Sequence, residues 1–270
     1  MAEPSPITAQ EFALFQRLIY KIAGISLSEA KQTLLVGRLT RRLKAYAFTT
    51  FSQYYRMLAS GEHAEELQTM VDLLTTNETY FFREPKHFDF LRDRVLAQRN
   101  SPAPFRVWSA ACSSGEEVYT LAMVLAEALG DKPWEVVGSD ISTQVLAKAA
   151  SGHYSLARTE GIPPGLMKKH CLRGVRSQAG SFMIVPELRQ RTRFYQLNLM
   201  HPVDTGIGDF EVIFLRNVMI YFDLPTKTRV VHNLLPRLKS GGYLVIGHSE
   251  TLNGITDRVQ AVVPTIYRKP

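Results

Sequence analysis

The feature that most constrains this chain is a change of hydrophobic period near residue 100. Before it, apolar residues recur at helical spacing; after it, short β-branched runs alternate with helical ones. Thr8-Ala9-Gln10-Glu11 has capping-box spacing, and Phe12, Phe15, Leu18, Ile19 and Ile22 then share one face, with Gly24 as the stop. A second helix is expected from Ser28. At about 100° per residue its apolar face is Leu35, Val36, Leu39 and Leu43, beside a basic stripe of Lys31, Arg38, Arg41 and Arg42. Residues 51–58 and 64–74 continue the helical pattern, broken at Ser60-Gly61, and a further helical stretch passes through Phe88, Leu91 and Val95.

Residues 98–104 carry turn formers and no period. Strand-like runs at 105–110, 134–139, 211–215 and 242–247 then alternate with helical runs at 117–129, 143–150 and 226–238. That alternation predicts a parallel sheet covered on both faces. The expected organisation is a helical domain over residues 1–88, a linker over 89–104 and an α/β domain over 105–270, with a small antiparallel excursion inserted at 171–196.

Composition narrows the class. There is no apolar run of about eighteen residues and no basic-then-apolar leader at the N-terminus, so the expectation is a soluble, cytoplasmic protein. Cys112 and Cys171 are too few for a disulfide framework or a zinc cluster and read as reduced thiols. His87, His153 and His248 show no metal-ligand spacing and read as structural or surface residues, so no metal is expected. A net charge of +7 favours acidic partners, whether nucleic acid, an anionic membrane face or an acidic protein segment, without choosing among them.

The strongest local motif is Trp108-Ser109-Ala110-Ala111-Cys112-Ser113-Ser114-Gly115-Glu116-Glu117, a strand that passes through small residues into a helix. Small residues allow a tight turn and let a ligand approach the strand's carboxyl end. With one glycine the segment departs from the dinucleotide pattern, and two glutamates at a helix start repel a phosphate. A ligand with a ribose and an ammonium suits it better. Asp140 ends the next strand, where an acidic side chain accepts hydrogen bonds from ribose hydroxyls. The competing reading of Asp140 is a helix N-cap, and that of Glu116 is stabilisation of the helix start.

Five segments together resemble CheR-type chemotaxis receptor methyltransferases: residues 75–84 (Thr75 to Glu84, including Asn77-Glu78-Thr79-Tyr80-Phe81-Phe82-Arg83), 108–117, 138–141, 216–222 (Arg216-Asn217-Val218-Met219-Ile220-Tyr221-Phe222) and 247–250 (Gly247-His248-Ser249-Glu250). They fall in order over nearly the whole chain. The resemblance implies a helical N-terminal domain, a Rossmann-like catalytic domain and a small three-stranded antiparallel insertion. It further implies S-adenosylmethionine as cofactor, S-adenosylhomocysteine as product, and methyl esters on receptor glutamates as the outcome.

Residue by residue, the resemblance assigns Asn77, Thr79 and Arg83 to the methionyl end of the cofactor, Glu116 to its amino-acid part and Asp140 to its ribose. Asn198 and Leu199 would flank the adenine, and Arg216 and Asn217 would lie beside the methyl group. Arg83, from the helical part, and Tyr221, from the other, would orient the substrate carboxylate. The expected partner is the cytoplasmic domain of methyl-accepting receptors, met by Lys31, Arg38, Arg41 and Arg42, with a receptor C-terminal peptide at the inserted sheet as a further option. The membrane would be approached only through the receptor, and no nucleic acid is expected.

The chemistry agrees with the residues. A glutamate has a pKa of about 4.3, so the attacking oxygen is already ionised at neutral pH and needs no base. Accordingly the segments offer Arg83, Arg216, Asn217 and Tyr221 rather than a His-Asp or Cys-His pair. Two other classes remain at this point: a nucleic-acid methyltransferase, favoured by the basic charge, and a binding module that keeps the pocket without catalysis. Asn217-Val218-Met219-Ile220-Tyr221 lacks the paired prolines with which base-amine methyltransferases grip an exocyclic amine.

Overall fold

The computed structural model describes residues 3–270. Chain contacts divide them into two units, residues 3–76 with 221–227 and residues 77–220 with 228–270.

The first unit holds four helices, α1 (Ala9–Ala23), α2 (Gln32–Ala45), α3 (Phe51–Ala59) and α4 (Ala64–Leu74). The Thr8 hydroxyl accepts the Glu11 N–H while Glu11 Oε2 accepts the Thr8 N–H at 2.9 Å, so the expected capping box forms, and Gly24 closes the helix. Of the expected apolar faces, Phe12, Phe15, Ile19, Leu35, Leu39 and Leu43 are buried, whereas Leu18, Ile22 and Val36 are half-buried. Each fully buried leucine contributes about 1.5–3 kcal/mol. A single 3₁₀ turn, Glu29–Lys31, precedes α2, which therefore starts later than Ser28 suggests.

At the centre of this unit the buried Glu66 carboxylate accepts from Arg42 Nε at 2.7 Å, Tyr54 Oη at 2.6 Å and Tyr46 Oη at 3.1 Å. Burial works to raise the Glu66 carboxyl, but the bonds from Arg42 and Tyr54 outweigh it and hold the group below its usual value. Arg38 Nη1 donates to the carbonyls of Leu73 and Thr75, both at 2.9 Å. Two of the four residues of the basic stripe thus fasten α2 to α4 and the chain after it. Lys31 and Arg41 are exposed.

The second unit begins with α5 (Lys86–Phe90), which continues as a π-wound turn through Leu91–Leu96. The elements that follow along the chain are β1 (Phe105–Ser109), α6 (Glu116–Leu129), β2 (Trp134–Asp140), α7 (Thr143–Ser151), β3 (His153–Ser155), α8 (Pro164–His170) and β4 (Cys171–Arg173). Then come β5 (Ser181–Ile184), α9 (Pro186–Arg189), β6 (Thr192–Gln196), β7 (Phe210–Leu215), α10 (Leu224–Leu234, of which residues 224–227 count with the first unit), β8 (Leu238–Ile246), β9 (Gln260–Val263) and β10 (Ile266–Arg268). The main sheet has the order β6-β2-β1-β7-β8-β10-β9, parallel from β6 to β8 and antiparallel beyond. Chain order reverses at β1, which pairs with β2 on one side and β7 on the other, so the ligand crevice of this α/β sheet lies at the carboxyl ends of those strands.

Three expectations change. The division falls after Thr76 rather than at residue 88, because Phe81 and Phe88 are buried in the core of the sheet unit, Phe88 stacked on Phe214 at 5.9 Å between ring centroids. Residues 91–96 of the expected linker are helical, with Leu91 and Leu96 in the same core. The inserted sheet is β3-β5-β4, starting at His153, while β6 pairs in parallel with β2 as an edge of the main sheet. The swap of units also reverses an assignment: Arg83 belongs to the sheet unit and Tyr221 to the helical one, where Tyr221 O accepts the Ser26 N–H at 2.9 Å.

Candidate functional site

The turn from β1 into α6 is built by small residues under tight steric control. Gly115 caps α6 at φ +92°, and a Cβ there would stand 2.8 Å from Ala149 Cβ, so no side chain fits. Ser113 is also left-handed, at φ +48°. Its N–H donates to Asp140 Oδ2 at 2.9 Å and its hydroxyl to the Asn77 carbonyl at 3.0 Å. Asp140 Oδ1 accepts the Ser142 N–H at 3.0 Å, so the carboxylate caps the turn into α7 and anchors the β1 loop at once. The N-cap of α7 is Ser142 rather than Asp140, whose carboxylate instead holds the Ser142 and Ser113 N–H groups at the strand's carboxyl end.

Glu116 is fully buried, and burial pushes its carboxyl above the usual range, against the pull of Ser114 and Arg158. Arg158 Nη1 bridges Glu116 Oε1 at 2.7 Å and the Thr79 carbonyl at 3.0 Å. A buried carboxylate with one cationic partner suits an incoming ammonium. The Cys112 thiol is buried, and that burial, with Asp140 nearby, keeps it protonated and unfit as a nucleophile.

Behind this loop lies a buried ionic cluster. Arg216, whose side chain is 1% exposed, donates from Nη1 to Glu117 Oε2 at 2.8 Å and from Nη2 to Glu84 Oε2 at 3.0 Å and to the Arg83 carbonyl. Its Nε–H is buried without a protein partner. Ser109 Oγ donates to Glu117 Oε1 at 2.6 Å. Burial works to raise the Glu84 carboxyl, but Asn217 and Arg216 outweigh it and hold it low. Asn217, itself left-handed at φ +57°, donates from Nδ2 to Glu84 Oε1 at 3.1 Å. Glu250 gathers the N–H groups of Gly247, Asn217 and Met219 at 2.7, 3.0 and 2.8 Å, and so shapes the loop after β7.

The structure therefore brings Asn77, Thr79, Glu116, Asp140, Arg216 and Asn217 to the carboxyl ends of β1, β2 and β7 within one unit. Arg83 is in the same unit, flanked by left-handed Phe82 and Glu84, each at φ +56°. It donates to the Glu78 carbonyl at 2.9 Å, with its guanidinium 5.6 Å from the Tyr80 ring centre. Asn198 and Leu199 follow β6, which extends β2; Asn198 Oδ1 accepts the Met200 N–H at 3.0 Å, and Leu199 O accepts from Asn233 at 3.0 Å. Arg216 is occupied chiefly by Glu84 and Glu117, a role its place after a strand did not reveal.

Sequence reasoning missed Arg158, Glu84, Glu117 and Glu250. Glu84, Glu117 and Glu250 stand inside the quoted segments, but only the folded arrangement shows what they bind. Arg158 stands outside them. The structure also brings two of the three histidines together: the rings of His87 and His248 lie 4.8 Å apart between centroids, while His153 Nε2 instead meets Ser181 Oγ at 2.7 Å.

On the inserted sheet, β4 pairs with β5 alone among the described residues, and Leu172 and Val175 are exposed beside His153, Phe182 and Met183, which line the same groove. No helix among the described residues is long and apolar enough to cross a membrane.

Residues 77–267 match the family described as CheR methyltransferase, SAM binding domain, and residues 10–75 match CheR methyltransferase, all-alpha domain. The chain is 41% identical over 274 residues to chemotaxis protein methyltransferase 2 of Pseudomonas aeruginosa, covering 98% of this chain and 97% of that one. It is 40% identical over 269 residues to the chemotaxis protein methyltransferase of Escherichia coli, covering 99% and 93%. The Borreliella burgdorferi protein of the same name is 36% identical over 273 residues, covering 97% and 95%.

Proposed function

The chain belongs to the CheR methyltransferase family, and on that premise we propose that it methylates glutamate side chains of chemotaxis receptors in the cytoplasm, using S-adenosylmethionine. The observation that carries the cofactor reading is the pairing of a buried Glu116 with Arg158 next to Asp140 at the sheet's switch point. An amino acid joined to a ribose presents an ammonium, a carboxylate and a diol, and these side chains complement such groups.

The cofactor supplies an electrophilic methyl group. Glu116 would take its ammonium and Asp140 its ribose hydroxyls, with Asn77 and Thr79 along the methionyl end and Asn198 and Leu199 beside the adenine. The substrate carboxylate arrives ionised, so the protein's task is to align and desolvate it. Arg83 and Tyr221 are the candidates for orienting it. Binding through one oxygen leaves the other to attack, whereas a bidentate grip would lower its nucleophilicity. Displacement in this form calls on no base, consistent with a Cys112 thiol that burial keeps protonated.

Receptor recognition is assigned to two surfaces. Lys31 and Arg41 are the exposed members of the α2 stripe, and Arg38 and Arg42 support it from beneath. The open edge of β4 is the place for a receptor C-terminal peptide to add as a strand.

The deciding experiment incubates the protein with radiolabelled S-adenosylmethionine, receptor-bearing membranes and nucleic acid. Base-labile label on the receptor is expected. Label on nucleic acid alone, or base-stable label, refutes the reading.

A further inference from the structure

Two histidines that methyl transfer does not use meet beside Glu84. His87, in α5, is 2% exposed, and its Nδ1 is a buried atom with no hydrogen-bond partner. That Nδ1 lies 3.5 Å from Glu84 Oε2. His248 follows β8 and is exposed, and ligand atoms from Glu84, His87 and His248 all lie within 4.8 Å of one another.

Thr265 Oγ1 lies 2.6 Å from the Pro264 carbonyl and 2.8 Å from His87 Nε2, an arrangement that suits the tautomer with the ring hydrogen on Nε2. In that tautomer Nδ1 turns a lone pair to Glu84 Oε2, which also accepts from Arg216 at 3.0 Å and from the His248 N–H at 3.2 Å. A buried lone pair beside a carboxylate oxygen is a place where a cation is favoured.

The spacing fits such a cation. Two ligand atoms each about 2.0–2.1 Å from a tetrahedral ion stand roughly 3.3–3.4 Å apart, close to the separation of His87 Nδ1 and Glu84 Oε2. Thr265 fixes the imidazole from its far side, as outer partners of ligating histidines do. The charge also fits. Arg216 opposes a cation at Glu84, but Glu84 and Glu117 share that one guanidinium, which leaves the group net negative.

We propose that Glu84, His87 and His248 form a site for a divalent transition-metal ion of the zinc class, with His248 as its solvent-facing ligand. The ion ties the loop after β8 to the start of α5. It also fixes Glu84, whose oxygens hold Arg216 and Asn217, so its role is to stiffen the site rather than to take part in the displacement.

The test uses the full chain, free of any affinity tag and dialysed against a chelator. It is titrated with Zn²⁺ alone by calorimetry and with Co²⁺ alone by visible absorption. One ion per chain, ligand-field bands for Co²⁺ and a raised melting temperature are expected. His248→Ala, at an exposed position, should weaken binding at least ~10-fold, as should His87→Gln. His63→Ala, at the start of α4, should leave binding unchanged. A dissociation constant weaker than ~1 mM for wild type, or wild-type affinity in His248→Ala, overturns the proposal.

Discussion

Replacing Arg216 with Met should unfold the sheet unit far more easily than its single-residue scale suggests. The guanidinium is 1% exposed and compensates two carboxylates, Glu84 at 3.0 Å and Glu117 at 2.8 Å, whose own side chains are 14% and 13% exposed. Removing it leaves both charges largely out of water without a cationic partner, held only by neutral donors such as Ser109 and Asn217, and breaking such a buried pair costs about 3–5 kcal/mol. With an unfolding slope of roughly 2–3 kcal/mol per molar urea, the midpoint should fall by about 1–2.5 M. The assay is direct, because both tryptophans, Trp108 and Trp134, are buried in this unit, so fluorescence reports its unfolding. The variant combining Arg216→Met, Glu84→Gln and Glu117→Gln removes all three charges and should recover more than half of the loss. A loss below ~1 kcal/mol for the single variant, or no recovery in the triple, would refute the ionic account of Arg216.

Glu66 gives a pH test in the helical unit. Its carboxyl is held below the usual value of 4.5 in the folded state, so its contribution is complete above pH 4.5 and is lost as pH falls through the lower, folded value. Glu66→Gln should therefore be less stable at pH 7, with the gap to wild type narrowing below about pH 4.5 in thermal melts; a constant gap contradicts this. Gly138→Ala should cost about 1–3 kcal/mol in urea unfolding, since its Cβ would stand 2.7 Å from Val118 Cγ2 and 2.9 Å from Phe194 Cδ1; a neutral result means β2 and β6 can shift. Binding of a receptor C-terminal peptide should weaken on Leu172→Pro in the β4 edge and on raising salt, read by calorimetry, whereas affinity for S-adenosylhomocysteine should hold; loss of both together would indicate a folding defect.

The helices of the first unit were legible because capping and period act locally. Thr8, Glu11, Gly24 and the Leu35-Leu39-Leu43 face need only neighbours within a few residues, and they form as read. The β1 turn was legible for a related reason: Gly115 and its small neighbours announce a tight passage at a strand end. What was not legible depends on partners far along the chain. β6 looked like the return strand of a hairpin after β5, yet it pairs with β2, more than fifty residues earlier. Arg216 finds Glu84 and Glu117 at sequence separations of 132 and 99. Helical periodicity puts the basic stripe on one face, but it gives no sign that Glu66 and the carbonyls of Leu73 and Thr75 would claim Arg42 and Arg38.

The fate of those arginines bears on where the chain's positive charge can act. Residues 153–196 carry eight Lys and Arg against two Asp and Glu, a net of +6 out of the chain's +7. Of those eight, Arg158, Lys169 and Arg193 are paired with Glu116, Glu127 and Glu135, which lie outside the segment. None of the remaining five makes an ion pair among the described residues; of these, Lys168, Arg173 and Arg176 are exposed, whereas Arg189 donates to the Ala150 carbonyl and Arg191 donates to the Lys132 carbonyl and lies over the Trp134 ring of β2. On the basic stripe, by contrast, the internal bonds of Arg38 and Arg42 leave Arg41 of α2 and Lys31 of the 3₁₀ turn before it exposed. Charge that is spent inside a unit cannot steer a partner, since only exposed charge projects a field over about 8–10 Å of saline. The small sheet, with its open strand edge and its unpaired cations, is therefore the surface at which an acidic partner would first be felt.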